Sequence, residues 1–234
     1  MYTPERNRAQ YGYAKPFDIY CWIEPGRMGC SARVTTVSYG DRALRLSGCA
    51  AQMPDSLKAR LDETMDAEDI RALLQETYGV PAAHTVKYVY RGADEPSVPH
   101  EGLRTLTEED FSAYRDFWRA CHPDGQDGWL REYFDEMTAV GTCVGVYADG
   151  ILASCTDTPG MPYMADEVQE IGVNTRPEYR RRGYAALACI RCAANILARG
   201  RCPQWSTDGG NHASRKLAAR VGFEKLADVV SVTL

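Results

Sequence analysis

The chain has 234 residues, 44% of them hydrophobic and 25% charged, with a formal net charge of −5. That length buries a real core, as one large domain or two small ones, and the composition is ordinary for a soluble globular protein. The acidic balance disfavours non-specific nucleic-acid binding, the polar start MYTPERNRAQYGY lacks the apolar run of a secretory signal, and no stretch is long and apolar enough to span a membrane.

Nine cysteines are scattered from Cys21 to Cys202 without regular spacing. That argues against a disulfide framework and for reduced thiols in a cytoplasmic protein. Cys189 and Cys192 form a C-x-x-C, but among alanines and one helical turn apart they read as small packing residues. No second such pair completes a zinc site, and His84, His100, His122 and His212 form no ligand pattern, so no metal is expected.

In chain order, residues 1–16 read as an irregular arm, followed by strands over 17–23, 33–39 and 43–46, the last two joined at Gly40-Asp41. Asp55 is placed to cap a helix over 56–61. A second helix over 67–78 carries Ile70, Leu73, Leu74 and Tyr78 on one face and stops at Gly79. The run TVKYVY over 85–90 alternates as a strand. This first unit, 1–98, reads as a small α/β flank of unknown role that completes a sheet or shapes an acceptor cleft. The segment ADEPSVPH over 93–100, with two prolines, is the best linker, and a second unit follows over 99–234.

The second unit begins with a strand over 103–106. Thr107, Glu108, Glu109 and Asp110 then start a helix, acidic groups facing its positive end. It runs to about 120, burying Phe111, Tyr114, Phe117 and Trp118. A helix over 129–137 mixes Glu132, Asp135 and Glu136 with Trp129, Tyr133 and Phe134, after Asp124 and Asp127 in the loop. This is either a cleft for a cationic amine or a solvated acidic face with an apolar back. Asp149-Gly150 joins hairpin strands over 143–147 and 151–156. After a loop over 159–165 comes a central strand over 168–173, on which alternation puts Glu170, Gly172 and Asn174 on one face. A helix opens at Arg182 or Gly183 and runs to about 199, and a strand covers 203–207. Asn211 caps a last helix that ends at Gly222, and 229–234 is the final strand. The class is α/β: a mixed α+β sheet flanked by helices.

The stretch VQEIGVNTRPEYRRRGYAA, 168–186, carries the chemistry. A helix starting at Gly183 points unpaired N–H groups at whatever lies before it, and with the dipole and three arginines this makes an anion site suited to phosphate. The P-loop pattern G-x-x-x-x-G-K-[ST] is absent, which argues against a P-loop nucleotide enzyme.

Arg180-Arg181-Arg182-Gly183-Tyr184-Ala185 fits the Arg/Gln-x-x-Gly-x-Gly/Ala signature of GNAT-superfamily N-acetyltransferases. Glu170–Val173, EIGV, resembles the strand before that signature. Asn211, Ala213, Ser214, Leu217, Gly222 and Phe223 resemble the family's closing N-x-A-S-x-x-L-A-x-x-x-G-F. The resemblance covers roughly 101–234; the first hundred residues look only loosely like the N-terminal extension of some two-part members. It implies a GNAT-like fold and transfer of an acetyl group from acetyl-CoA to a primary amine, by direct attack in a ternary complex. By that resemblance the coenzyme's pyrophosphate lies on Arg180, Arg181, Arg182, Gly183, Tyr184, Ala185 and Ala186. Its pantetheine arm follows Val173, Asn174 and Thr175, and Asn211 and Ser214 complete the cofactor-binding set, though capping alone explains Asn211 equally well. The backbone N–H of Val173 would face the thioester oxygen, and Glu170 would serve as the base. The acceptor would be a small-molecule or peptide amine, cationic ones included. No nucleic-acid or membrane partner is expected, and the chain would be a monomer or homodimer. One departure stands out: where many members carry a tyrosine acid, this chain has Ala218. That leaves a non-catalytic acyl-CoA sensor as the alternative. An acyl-enzyme on Cys155 is a further, weaker route.

Overall fold

The computed structural model describes residues 33–39, 43–47, 54–61, 65–92, 100–158 and 168–233. The expected strand over 17–23, the loop over 159–165 and nearly all of the linker, including the boundary at 98, lie outside the described residues. Among the described residues, ten strands form two sheets. The larger joins β1 (Arg33–Tyr39), β2 (Ala43–Ser47), β3 (Ala82–Tyr90), β7 (Val168–Glu170), β9 (Cys202–Asp208) and β10 (Phe223–Thr233), in the order β2-β1-β10-β3-β9-β7. The smaller has the order β4-β5-β6-β8, from Leu103–Thr105, Val144–Ala148, Ile151–Asp157 and Gly172–Thr175. Helices cover the sheets, so the expected mixed α/β architecture is present. Strands from both sides of residue 98 share the larger sheet: β3 pairs with β10 on one side and β9 on the other.

Local chemistry explains the elements. α1 (Asp55–Arg60) begins after Pro54, and Asp55 sits inside its first turn instead of capping it; the proline's fixed φ opens the helix without a side-chain cap. α2 (Ala67–Tyr78) is closed at both ends. The Asp66 carboxylate accepts from the N–H groups of Glu68 and Asp69 at 2.8 and 2.9 Å, and Gly79 takes the left-handed φ of 67° that ends the helix. Its Ile70, Leu73 and Leu74 are buried against Val230 and Val232 of β10. α3 (Phe111–Cys121) and α4 (Leu130–Val140) pack Tyr114, Phe117, Phe134 and Met137 onto Leu152 and Cys155 of β6. α5 (Tyr184–Ala198) lies on the other face, where small Ala188, Cys189, Cys192 and Ala193 let it approach Val144 and Val146. α6 (His212–Arg220) completes that layer with Ala218 buried.

The expected single strand over 168–173 is two strands broken at Ile171. The Ile171 N–H is the last to bond β9, at 2.9 Å to the Gln204 carbonyl; past it the chain leaves the larger sheet and β8 pairs with β6 in the smaller one. β10 begins six residues before the expected 229, because β3 holds it from Phe223 onward through a register shift between Lys225 and Ala227.

Candidate active site

β7 is parallel to β9, and the strand changes sheets at Ile171, so β8 and β9 splay apart toward the edge where α5 and α6 begin. The pairing of β8 with β6 fixes which main-chain groups line the splay. The Arg176 N–H bonds the Ala153 carbonyl at 2.9 Å, and with Asn174 opposite Cys155 the antiparallel alternation turns the N–H groups of Val173 and Thr175 away from β6, toward β9. β9 no longer pairs there.

The chain then makes a 3₁₀ turn, Pro177–Tyr179, and enters α5 through a loop of alternating hand. Arg181 has φ 63° and Gly183 φ 87°, whereas Arg180 is extended. Such alternation converges successive N–H groups into a concave anion cradle. Among the described residues, no acceptor takes the main-chain N–H of any of residues 181–186; the first α5 amide to be used is that of Leu187, which bonds the Gly183 carbonyl. Gly183 is the N-cap and supplies no side chain there. No atom lies within 4 Å of the point where its Cβ would stand. Its positive φ disfavours residues with a side chain, and the open space leaves room for a ligand.

The three arginines divide the work. Arg180 Nε donates to the Thr175 carbonyl at 3.3 Å, tying the loop to the end of β8. Arg182 donates to the Glu178 carbonyl at 3.2 Å and lies 5.0 Å from the Tyr179 ring centre. Arg181 is exposed and, among the described residues, makes neither a hydrogen bond nor an ion pair. It also carries the strained left-handed backbone, a combination that favours a ligand-facing role.

The other sequence-predicted residues are placed as follows. The Ser206 hydroxyl donates to Glu170 Oε1. Lys87 is paired across strands with Ser206; burial pushes its pKa down, against the upward pull of Glu170. Sequence reasoning missed Ser206 and Lys87. Their signal was only alternation on β9 and β3, which cannot say which strands are neighbours. Tyr184 packs against His100 at 5.3 Å. Asn211 caps α6, its Oδ1 accepting the Ser214 N–H at 3.1 Å, and the Ser214 hydroxyl accepts from Trp205 Nε1 at 3.1 Å. Both therefore already have structural partners at the edge where the anion loop lies. Cys155 is buried and its thiol is pushed well up, by burial first and Cys143 second, which leaves it no thiolate for attack. Cys189 and Cys192 are buried core residues. Among the described residues, no helix is long and apolar enough to cross a membrane.

Residues 132–228 match the family model described as GNAT acetyltransferase. No curated protein sequence matches the chain. Among solved structures, an acetyltransferase of the GNAT family from Colwellia psychrerythraea is 17% identical, with 66% of this chain and 57% of that one aligned at a TM-score of 0.56. A GNAT-family protein from Novosphingobium aromaticivorans is 25% identical over 65% of this chain and 64% of its own, at 0.51. A GCN5-related N-acetyltransferase from Sphaerobacter thermophilus is 19% identical over 68% and 53%, at 0.54. The chain spans less than two thirds of the length of each. The family match takes in the anion loop and the splayed strand, and the solved structures share the fold: the chain is similar to GNAT acetyltransferases over residues 132–228 and has their fold.

Proposed function

We propose that the protein is an N-acyltransferase that uses acetyl-CoA and a primary amine in a ternary complex. The observation that carries this reading is the run of unused amides at 181–186 beside a strand edge that has lost its neighbour. A diphosphate needs several converging donors, and the loop offers them with the positive end of α5 behind them and the Arg181 guanidinium beside them. A peptide-like arm needs a strand edge, and Val173 and Thr175 present one. Bound acetyl-CoA would supply the activated acyl group as a thioester. The Val173 N–H would then donate to the oxygen on which charge develops. The attacking amine reaches the site as an ammonium and must lose a proton to a carboxylate; Glu170 is the one the sequence nominates, one strand break away from Val173.

Calorimetric titration with acetyl-CoA tests the reading. The wild type should bind, and Gly183→Val, which puts a branched side chain at φ 87°, should bind at least tenfold more weakly. A wild type that binds no acetyl-CoA overturns it. Ala218, buried in the core at the position where many relatives of this fold carry a tyrosine, favours the second reading, a sensor that binds acyl-CoA without turnover. Thiol release across a panel of primary amines separates the two: binding without release means the sensor.

A further inference from the structure

Asp157 ends β6 directly opposite Gly172 of β8. Its carboxylate occupies the space above Gly172 where any side chain would begin: a Cβ built there would collide with Asp157 Oδ1. Gly172 thus leaves the space that a carboxylate takes up over the strand next to Val173. Among the described residues, no other group hydrogen-bonds this carboxylate; only its own backbone N–H does so. Glu170, by contrast, is already bonded by Ser206 and stands in the field of Lys87.

His122 and Tyr133, each coupled by charge to Asp157, stand at the two ends of a row of rings. His122 stacks on Trp118 at 4.8 Å, Trp118 meets Trp129 edge-on at 5.7 Å, and Trp129 meets Tyr133 at 5.3 Å. Aromatic faces and a carboxylate together suit an alkyl ammonium.

We infer that Asp157 takes the proton from the acceptor's ammonium, with Glu170 as its charged neighbour across the break in the strand. The inference rests on the acyl-transfer reading. The ammonium N–H bond breaks toward a carboxylate oxygen of Asp157, the freed nitrogen pair forms the C–N bond, and the C–S bond breaks with its pair on sulfur. After attack the nitrogen still carries two hydrogens, and it gives one of them to the departing sulfur, so CoA leaves as the thiol; the Asp157 proton passes to solvent and the group is reset.

The titratable surroundings agree. Burial raises the Asp157 pKa, Glu170 raises it further, and His122 at the end of α3 opposes them. Tyr114 of α3, Tyr133 of α4, Cys155 of β6, and Cys189 and Cys192 of α5 on the far side of the sheet also feel its charge. A carboxylate lifted toward neutrality is a better proton acceptor for an ammonium than one held in its ordinary range.

The test compares wild type, Asp157→Asn and Glu170→Gln. All three should bind acetyl-CoA alike by calorimetry; a wild type that fails here overturns the acyl-transfer reading, independently of Asp157. Carboxyl-carbon NMR, assigned with Asp157→Asn, should show Asp157 titrating above the ordinary aspartate range and moving down in Glu170→Gln. An ordinary titration that Glu170→Gln leaves in place overturns the inference. With tyramine, cadaverine and lysine as acceptors, Asp157→Asn should lose about 10²–10³-fold in kcat with KM for acetyl-CoA unchanged. Asp157→Asn activity within threefold of wild type overturns it, as does a wild type that binds acetyl-CoA and acetylates none of the three.

Discussion

Asp157 and Asp110 are both carboxylates in partly or fully buried positions, yet their surroundings push them in opposite directions. Asp157 is raised in the folded state, by burial and then by Glu170. Ionising it therefore costs stability. The cost is absent below the ordinary carboxylate range and grows as pH rises through the raised folded value. Asp157→Asn keeps the shape and removes the charge. The variant should melt higher than wild type at neutral pH, and the gain should vanish at about pH 3, below the ordinary aspartate pKa. Scanning calorimetry at both pH values checks this, and a variant that melts lower at neutral pH contradicts it. A group that destabilises the fold at its working pH is what a functional carboxylate looks like at residue scale. Nothing in the sequence marks it. Asp157 is one acidic residue at the end of a hairpin strand, and its meaning comes from Gly172, which a single sequence cannot place opposite it. The sequence nominates Glu170 and Gly183 only through the local runs EIGV and RRRGYA in which they stand.

At the scale of elements, Asp110 ties three of them together. Arg104 of β4 reaches it with two nitrogens at 3.0 and 2.5 Å, the Tyr147 hydroxyl of β5 donates at 2.9 Å, and the Thr107 N–H at the start of the 3₁₀ turn before α3 donates at 2.9 Å. Burial alone would raise its pKa, but the Thr107, Tyr147 and Arg104 donors outweigh that and hold it below the ordinary range. Its contribution is thus complete above the unfolded pKa and lost as pH falls through the folded one. Asp110→Ala removes a cap and leaves the Tyr147 hydroxyl and the Thr107 amide unpaired. About 2–3 kcal/mol should be lost at neutral pH, less in acid, as measured by urea unfolding. The half-exposed Arg104 keeps the figure from being larger. The sequence shows Asp110 only as one of three acidic residues after Thr107. Element reading succeeds where signals are local: α2 is bounded as expected because Asp66, Ile70, Leu73, Leu74 and Gly79 all lie within one segment. It fails at Ile171, where VQEIGVNT does not say that the pairing partner changes from β9 to β6, and at the start of β10, where Glu224 and Lys225 hide a strand that only β3 makes regular.

For the whole molecule, the decisive feature is β3, which precedes the anion loop by about two fifths of the chain yet lies between β10 and β9. Through β9 it holds one side of the splay: Lys87 and Tyr88 pair with Ser206 and Trp205, next to the Glu170 contact. Val86, Tyr88 and Tyr90 are buried in the core that also packs α5. Burying each is worth about 1.5–3 kcal/mol, so the three together approach the about 5–15 kcal/mol that holds a typical domain folded. Removing β3 also strips hydrogen-bond partners from two strands at once, leaving edges that pair with other chains. A fragment of residues 99–234, although it contains every residue of the anion loop and the splayed strand, should therefore lack a cooperative melt, aggregate, and bind acetyl-CoA at least a hundredfold more weakly than the full chain. Circular dichroism melting and calorimetry on both proteins decide it. A fragment that melts cooperatively and binds as the full chain does would mean that β9 holds the splay without β3, and that the first hundred residues serve something other than the site.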